Sequence, residues 1–149
     1  MNKVVVDTDS LSKVFDKANK EHKEFEPLHK SIIDQKRSLV VYGGTKYIGE
    51  LKRARKFFGL FVELKKSGMA ITLNSQQVDD EEERIIGLAE DSKFNDHHIV
   101  AIVAVGRCNI ICSSDTNSHA HYKNALYYPK HLRPKIYNGL ASSGILNSN

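Results

Sequence analysis

Apolar residues in this chain fall into short continuous runs, separated by longer stretches in which they recur every three or four positions. Lys3-Val-Val-Val-Asp7 is a run of the first kind, β-branched without a break, as in a parallel strand covered on both faces. Asp7-Thr-Asp-Ser10 then supplies helix N-capping residues. Leu11, Val14 and Phe15 begin a helical period that charged helix formers extend to about Lys23. Pro27 suits the first turn of a further helix with Leu28, Ile32 and Ile33 on its apolar side. Leu39-Val-Val-Tyr42 is a second strand, stopped by Gly43-Gly44. Thr45 is the expected N-cap of one long helix, in which Ile48, Leu51, Ala54, Phe58 and Phe61 form a stripe and Gly68 closes the end.

Met69-Ala-Ile-Thr-Leu73 predicts a third strand. Asp79 to Glu90 predicts a helix, with acids early and Ile85, Ile86 and Ala89 facing inward. Ile99 to Val105 reads two ways: its β-branched residues favour a strand, while the preceding Asn95-Asp96 favours a helix start. Asn109-Ile-Ile-Cys112 is a strand followed by Ser113-Ser-Asp115, and Lys135-Ile-Tyr137 is a last one. The small, polar tail from Ala141 is expected to fray. Strands alternating with helices, without repeat or linker, predict one α/β domain over residues 1–149: a three-layer sandwich with a central parallel sheet and helices on both faces. Ligands of such sheets bind beyond the carboxyl ends of the strands.

Composition narrows the class. With 40% apolar and 27% charged residues, the chain is neither disordered nor membrane-like. Its longest apolar run, Ile99 to Val105, is far short of the roughly 20 residues that span a bilayer. The start, Met1-Asn2-Lys3 and a short valine run ending at an aspartate, lacks a signal-peptide pattern, so a cytoplasmic protein is expected. On one strand, Cys108 and Cys112 would stand roughly 13 Å apart, too far for a mutual disulfide, and reduced buried thiols are expected. The net charge of +4 is uneven: Lys52, Arg53, Arg55 and Lys56 form a basic cluster, Asp79 to Glu83 an acidic one. A basic excess of this size permits a polyanionic partner.

Four acids carry the chemistry. Asp7 and Asp115 each follow the carboxyl end of a strand, Glu50 lies early in the helix after the second strand, and Asp96 opens the element that leads to Asp115. Taken singly, each has a plainer reading: Asp7 and Asp96 as helix caps, Asp115 as a turn residue, Glu50 as a solvated helix residue. Together, the architecture can gather them on one sheet edge. Four carboxylates without a cation would repel one another, and the usual remedy is a hard divalent metal, Mg²⁺ or Mn²⁺.

Val4-Val-Val-Asp7-Thr8, Glu50, the run Asp96-His-His-Ile99-Val-Ala101-Ile-Val-Ala104, and Ile110-Ile-Cys-Ser113-Ser-Asp115 together resemble PIN-domain nucleases, from about Val4 to Asn117. The resemblance implies a parallel-sheet fold and Mg²⁺- or Mn²⁺-dependent cleavage of phosphodiesters, usually in RNA. It implies metal binding by Asp7, Glu50, Asp96 and Asp115, with Ser113 orienting water or a carboxylate. It also implies that Ile99–Val105 is a helix. Many small members of the family are toxins of toxin–antitoxin pairs or defence effectors, and dimerise, so an antitoxin or defence partner and a homodimer are expected. Asp9 departs from the family's usual Asn, and residues 19–36 and those beyond Asn117 match it poorly.

Arg53 and Lys56, expected on one face of the Glu50 helix, are candidate phosphate contacts beside Thr8, or else a solvated surface. Tyr122, Tyr127 and Tyr128, among Lys123, Lys130 and His131, could stack on unpaired bases or pack as a helix edge. Cys108, Cys112, His119 and His121 allow a loose zinc reading. His97 and His98 are expected on the surface of a first helical turn. Asp7-Thr-Asp9 after a strand also resembles the start of haloacid-dehalogenase-like phosphatases, with Asp7 as nucleophile and Asp9 as general acid. A non-catalytic PIN-like module binding RNA or protein is the alternative of a different class.

Overall fold

The computed structural model describes residues 1–88, 94–124 and 127–147. Five strands form one sheet: β1 (Asn2–Val6), β2 (Ser38–Tyr42), β3 (Ala70–Thr72), β4 (Ile110–Cys112) and β5 (Lys135–Tyr137). Every pairing is parallel and the order is β3-β2-β1-β4-β5. The chain winds outward from β1 through β2 to β3, then crosses back to β4 on the other side of β1. The carboxyl ends of β1 and β4, registered through Val6 and Cys112, therefore flank the switch point.

The continuous β-branched runs have the predicted cause: both faces of the sheet are covered. Val41 and Tyr42 are neighbours on β2 and point to opposite faces. The Tyr42 ring meets Phe61 of α4 (Arg55–Lys66) at 5.1 Å between centroids, and Phe61 in turn meets Phe15 of α1 (Leu11–Phe15) at 5.9 Å. On the other face, a Cβ added at Gly106, the last residue of α6 (His97–Gly106), would lie 2.7 Å from Val41 Cγ1. Helix α5 (Ser75–Leu88) packs along α6, and α2 (His22–Ile33) packs against α1 and β2. The result is the three-layer α/β sandwich expected from the chain's pattern.

Ile99–Val105 is helical. Every residue from His97 to Val103 is buried, so β-branched side chains fill the interior between sheet and α5, and packing outweighs strand propensity.

Several boundaries differ from expectation. The first helix stops at Phe15 instead of reaching Lys23: Asp16 Oδ1 accepts the Ala18 amide (2.9 Å) and Asn19 Oδ1 the Glu21 amide (2.8 Å), local bonds that compete with the helix. Pro27 sits inside α2, beyond its first turn; the carbonyl it leaves without a helical donor belongs to exposed Lys23. The expected single helix after β2 breaks at Ala54 into α3 (Thr45–Arg53) and α4, so Arg53 and Lys56 lie on different helices and not on one face. The break lets α3 stay at the carboxyl edge, where Tyr47 Oη donates to Val6 O at 2.6 Å, while α4 turns Phe61 onto the sheet. At its far end, Gly68 (φ 80°) follows the last residues of α4 with Gly68 N→Lys65 O at 3.1 Å and Met69 N→Leu64 O at 2.8 Å, a glycine-dependent C-terminal closure.

Thr45 is the first residue of α3 and not its cap. The capping role falls to Asp79 of α5, which accepts from Thr45 N (2.9 Å) and Thr45 Oγ1 (2.6 Å). Gly44 before it has φ 89°, and a Cβ there would meet Val78 Cγ1 at 2.6 Å, so this approach of α3 to α5 requires glycine. Helix α5 begins at Ser75, earlier than Asp79, and Ile86 is exposed instead of inward-facing. Ala89 and Glu90 lie outside the described residues. The tail does not fray over Leu140–Asn147: it forms a 3-10 helix against α2, Leu146 is buried, and Asn2 Nδ2 donates to Leu146 O at 2.9 Å.

Among the described residues no helix is long and apolar enough to cross a membrane. Both cysteines are free and buried.

Candidate functional site

Asp7 leaves the end of β1 as the cap of a 3-10 turn, Thr8–Ser10. Its Oδ1 accepts the Asp9 amide at 3.4 Å, while the residue as a whole is only 5% exposed. Asp115 leaves β4 in the same way, capping Thr116–Ser118 with Oδ1 on the Asn117 amide at 3.1 Å. Both acids thus do cap; the second oxygen of Asp7 faces a distant segment, and that of Asp115 a serine of its own turn. Asp96 stands at the N-cap of α6 but makes no side-chain cap hydrogen bond, so capping does not account for its carboxylate.

Two hydroxyls join the three. Tyr122 Oη, on the short helix α7 (His119–Tyr122), lies 3.5 Å from Asp7 Oδ2 and 3.4 Å from Asp96 Oδ2. Ser118 Oγ lies 2.9 Å from Asp115 Oδ2 and 3.4 Å from Asp96 Oδ2. A phenol has one proton for two carboxyl groups, an arrangement that is satisfied when one of them carries its own proton. Asp7 is that group. Burial first, then the negative charges of Asp96 and Asp9 and, more weakly, Glu50, push its pKa from 3.8 up to about 7.

Glu50 reaches the same edge from α3. Its Oε1 lies 3.0 Å from His98 Nε2 and 3.5 Å from Thr8 Oγ1. His98 is 2% exposed; burial, helped by the charge of Lys46, lowers its imidazole to about 4. It is therefore neutral, and the contact is a hydrogen bond from Nε2–H to the carboxylate rather than an ion pair. His97 is buried too, its imidazole pKa lowered first by burial and then by Lys46. The expectation that this pair lies on the surface is corrected: α6 has no solvent side at its first turn. Lys46 itself donates to Asn95 O at 2.6 Å, beside Asp96.

Ser113 is fully buried at the end of β4. Its Oγ accepts the Asp115 amide at 3.2 Å, which fixes the turn carrying that acid. The Arg53 and Lys56 side chains are exposed. Arg53 Nε donates to Gly49 O in its own helix (3.3 Å), and Lys56 Nζ pairs with Asp16 at 3.1 Å. Neither touches the carboxylates in these contacts.

The other constellations fare differently. Tyr122, Tyr127 and Tyr128 are all buried, so they form no open stacking platform for a nucleic-acid strand on the outer surface. Both thiols are buried, His119 Nε2 is engaged with Ser113 O at 3.1 Å, and among the described residues Cys108, Cys112, His119 and His121 do not converge as a metal cluster.

Ser118 was not singled out in the sequence, and Tyr122 and His98 were read for other roles than holding the acids. The one available signal was their nearness in the chain to Asp115 and Asp96; nothing local distinguishes them from packing residues.

The carboxylates meet through hydroxyls and not directly: among the described residues, no three Asp, Glu, His or Cys side chains converge as a ready-made metal cluster. The donor chemistry nevertheless fits a hard divalent cation. The available atoms are oxygens, and Asp7 holds near neutrality a proton that a cation would replace.

The chain matches no family model, no curated protein and no solved structure. Fold and site by themselves define an α/β protein with acidic side chains gathered at the carboxyl edge of a parallel sheet.

Proposed function

We propose that this chain is a metal-dependent nuclease of the PIN type, an endoribonuclease hydrolysing RNA phosphodiesters. The observation that carries the reading is the sharing of the Tyr122 and Ser118 hydroxyls by Asp7, Asp96 and Asp115, three acids from three separate segments. Capping accounts neither for the Asp96 carboxylate nor for the contact of Asp7 with Tyr122. In this reading Asp7, Glu50, Asp96 and Asp115 hold Mg²⁺ or Mn²⁺. When bound, the ion supplies positive charge to the phosphate oxygens and acidity to water. His98 and Thr8 orient Glu50, Ser113 holds the Asp115 turn, and Tyr122 keeps Asp7 and Asp96 apart by a donor. Thr8, Arg53 and Lys56 are the proposed substrate contacts, with Lys46 beside Asp96 as an addition. The PIN resemblance extends the proposal to a cytoplasmic toxin–antitoxin or antiviral-defence role, with an antitoxin or defence partner and a homodimer.

The test is cleavage of labelled single-stranded RNA, with structured RNA alongside, in Mn²⁺, Mg²⁺ and EDTA, by wild type and Asp96→Asn. Cleavage that requires both the metal and Asp96 supports the nuclease. Binding without cleavage moves the assignment to a non-catalytic module. Neither binding nor cleavage directs the search to phosphatase substrates.

A further inference from the structure

A second site lies at the opposite edge of the sheet. Cys108 and Asn109 lead into β4, Arg133 leads towards β5, and Arg107 follows the end of α6, so these residues mark the amino edge, away from the carboxylates. Between them opens a pocket of about 260 Å³, near the lower end of the size range of small-ligand sites. Its walls are largely apolar, with Val103, Ala104, Leu132 and the Tyr127 and Tyr128 side chains contributing.

The charged groups that line it are arginines. Arg84, Arg107, Arg133 and His131 line the pocket beside Asn109, and among the described residues none that lines it is acidic. Arg84 is occupied by Glu81 and by Tyr127 O (3.3 Å), whereas Arg107 and Arg133 make no ion pair among the described residues. Tyr128 is 6% exposed, and among the described residues its buried Oη and the buried Nε of Arg133 have no hydrogen-bond partner. Burial holds the Tyr128 phenol protonated, with Arg133 close enough to pull weakly the other way. Two neighbouring buried donors without an acceptor are costly to keep, and buried polar groups in folded proteins nearly always find a partner. An anionic oxygen ligand would satisfy both at once, in the manner of arginine with phosphate.

We propose that this pocket is a binding site for a nucleoside monophosphate, its phosphate on Arg133, Arg107 and the Tyr128 hydroxyl and its base against the apolar wall. A bare phosphate would leave most of the apolar volume empty. The site is independent of the carboxylate cluster and of the nuclease reading.

The experiment is calorimetric titration of the intact chain in EDTA with AMP, GMP, CMP and UMP, and with inorganic phosphate and adenosine as fragments. At least one mononucleotide is expected to bind, at least tenfold more tightly than either fragment. Tyr128→Phe and Arg133→Gln each weaken it tenfold or more, and Asp96→Asn leaves it unchanged. Tyr128→Phe removes one oxygen and keeps the ring, so it reads the site even if Arg133→Gln disturbs the fold. Absence of binding by all four overturns the proposal. So does binding that survives Tyr128→Phe, or phosphate binding as tightly as the nucleotides.

Discussion

His98 Nε2 lies 3.0 Å from Glu50 Oε1, and burial keeps the imidazole neutral where an exposed pair would be charged. The histidine thus acts as a fixed donor that orients the carboxylate without cancelling its charge. Partners of this kind typically change metal affinity or activity by about 10–100-fold when removed. His98→Ala is expected to weaken Mn²⁺ binding within that range, while His98→Gln, which retains a donor, loses less. Equal Mn²⁺ titrations for wild type and His98→Ala would remove this role.

Asp7 makes the metal-free protein sensitive to pH. Its folded pKa, about 7, lies above the ordinary 3.8, so the folded chain binds the proton more tightly than the unfolded one. That contribution to stability is complete below the unfolded value and is lost as pH rises through about 7. In EDTA, the thermal midpoint is expected to fall between about pH 5 and pH 8.5. Asp7→Asn should flatten that slope, raise the midpoint at the higher pH and abolish cleavage. Melting curves at the two pH values, with and without Mg²⁺, measure it; an unchanged slope in Asp7→Asn counts against the assignment.

Tyr122 tests the hydroxyl bridge apart from packing. Its ring is fully buried against Phe94, at 5.8 Å between centroids, and Tyr122→Phe keeps that contact. Losing one hydrogen bond costs about 1 kcal/mol of stability. Metal-dependent cleavage should fall about tenfold, the equivalent of about 1.4 kcal/mol in the barrier. Full activity in this variant would show that Asp7 and Asp96 need no common donor.

Gly106 serves the fold alone. A Cβ there meets Val41 Cγ1 at 2.7 Å, and overpacking of this kind costs about 1–3 kcal/mol. Denaturant unfolding of Gly106→Ala should register that loss, while cleavage at a permissive temperature stays at the wild-type rate.

Lys56 separates surface charge from substrate contact. Its pair with Asp16 is exposed, so Lys56→Ala should change stability by no more than about 0.5 kcal/mol. If Lys56 contacts phosphate, RNA affinity falls and the salt dependence of binding becomes shallower by about one unit. An unchanged salt slope assigns Lys56 to the solvated surface.

Much of the fold was legible in the chain because its signals are local. Val4-Val-Val6, Leu39-Val-Val41 and Ile110-Ile-Cys112 read as strands because a strand covered on both faces needs continuous apolar residues, and the periodic stretches between them read as helices. From that alternation follow the parallel sheet and the positions of Asp7 and Asp115 just past strand ends. The ambiguity at Ile99–Val105 is equally instructive: a helix buried on all sides loses the periodicity that would identify it.

What the sequence alone determined was which acids stand at the carboxyl edge, since that depends only on where strands end. Tertiary structure decided how they are held. The Tyr122 hydroxyl reaches Asp7 because β4 pairs with β1, and Asp79 caps α3 because α5 packs against it. His98 is neutral only because α6 is enclosed, and Arg53 parts from Lys56 at Ala54 because α3 and α4 pack on different surfaces. Each is a relation through space between segments distant in the chain. Burial and hydrogen bonding act over a few ångströms, so they arise only after the layers have closed.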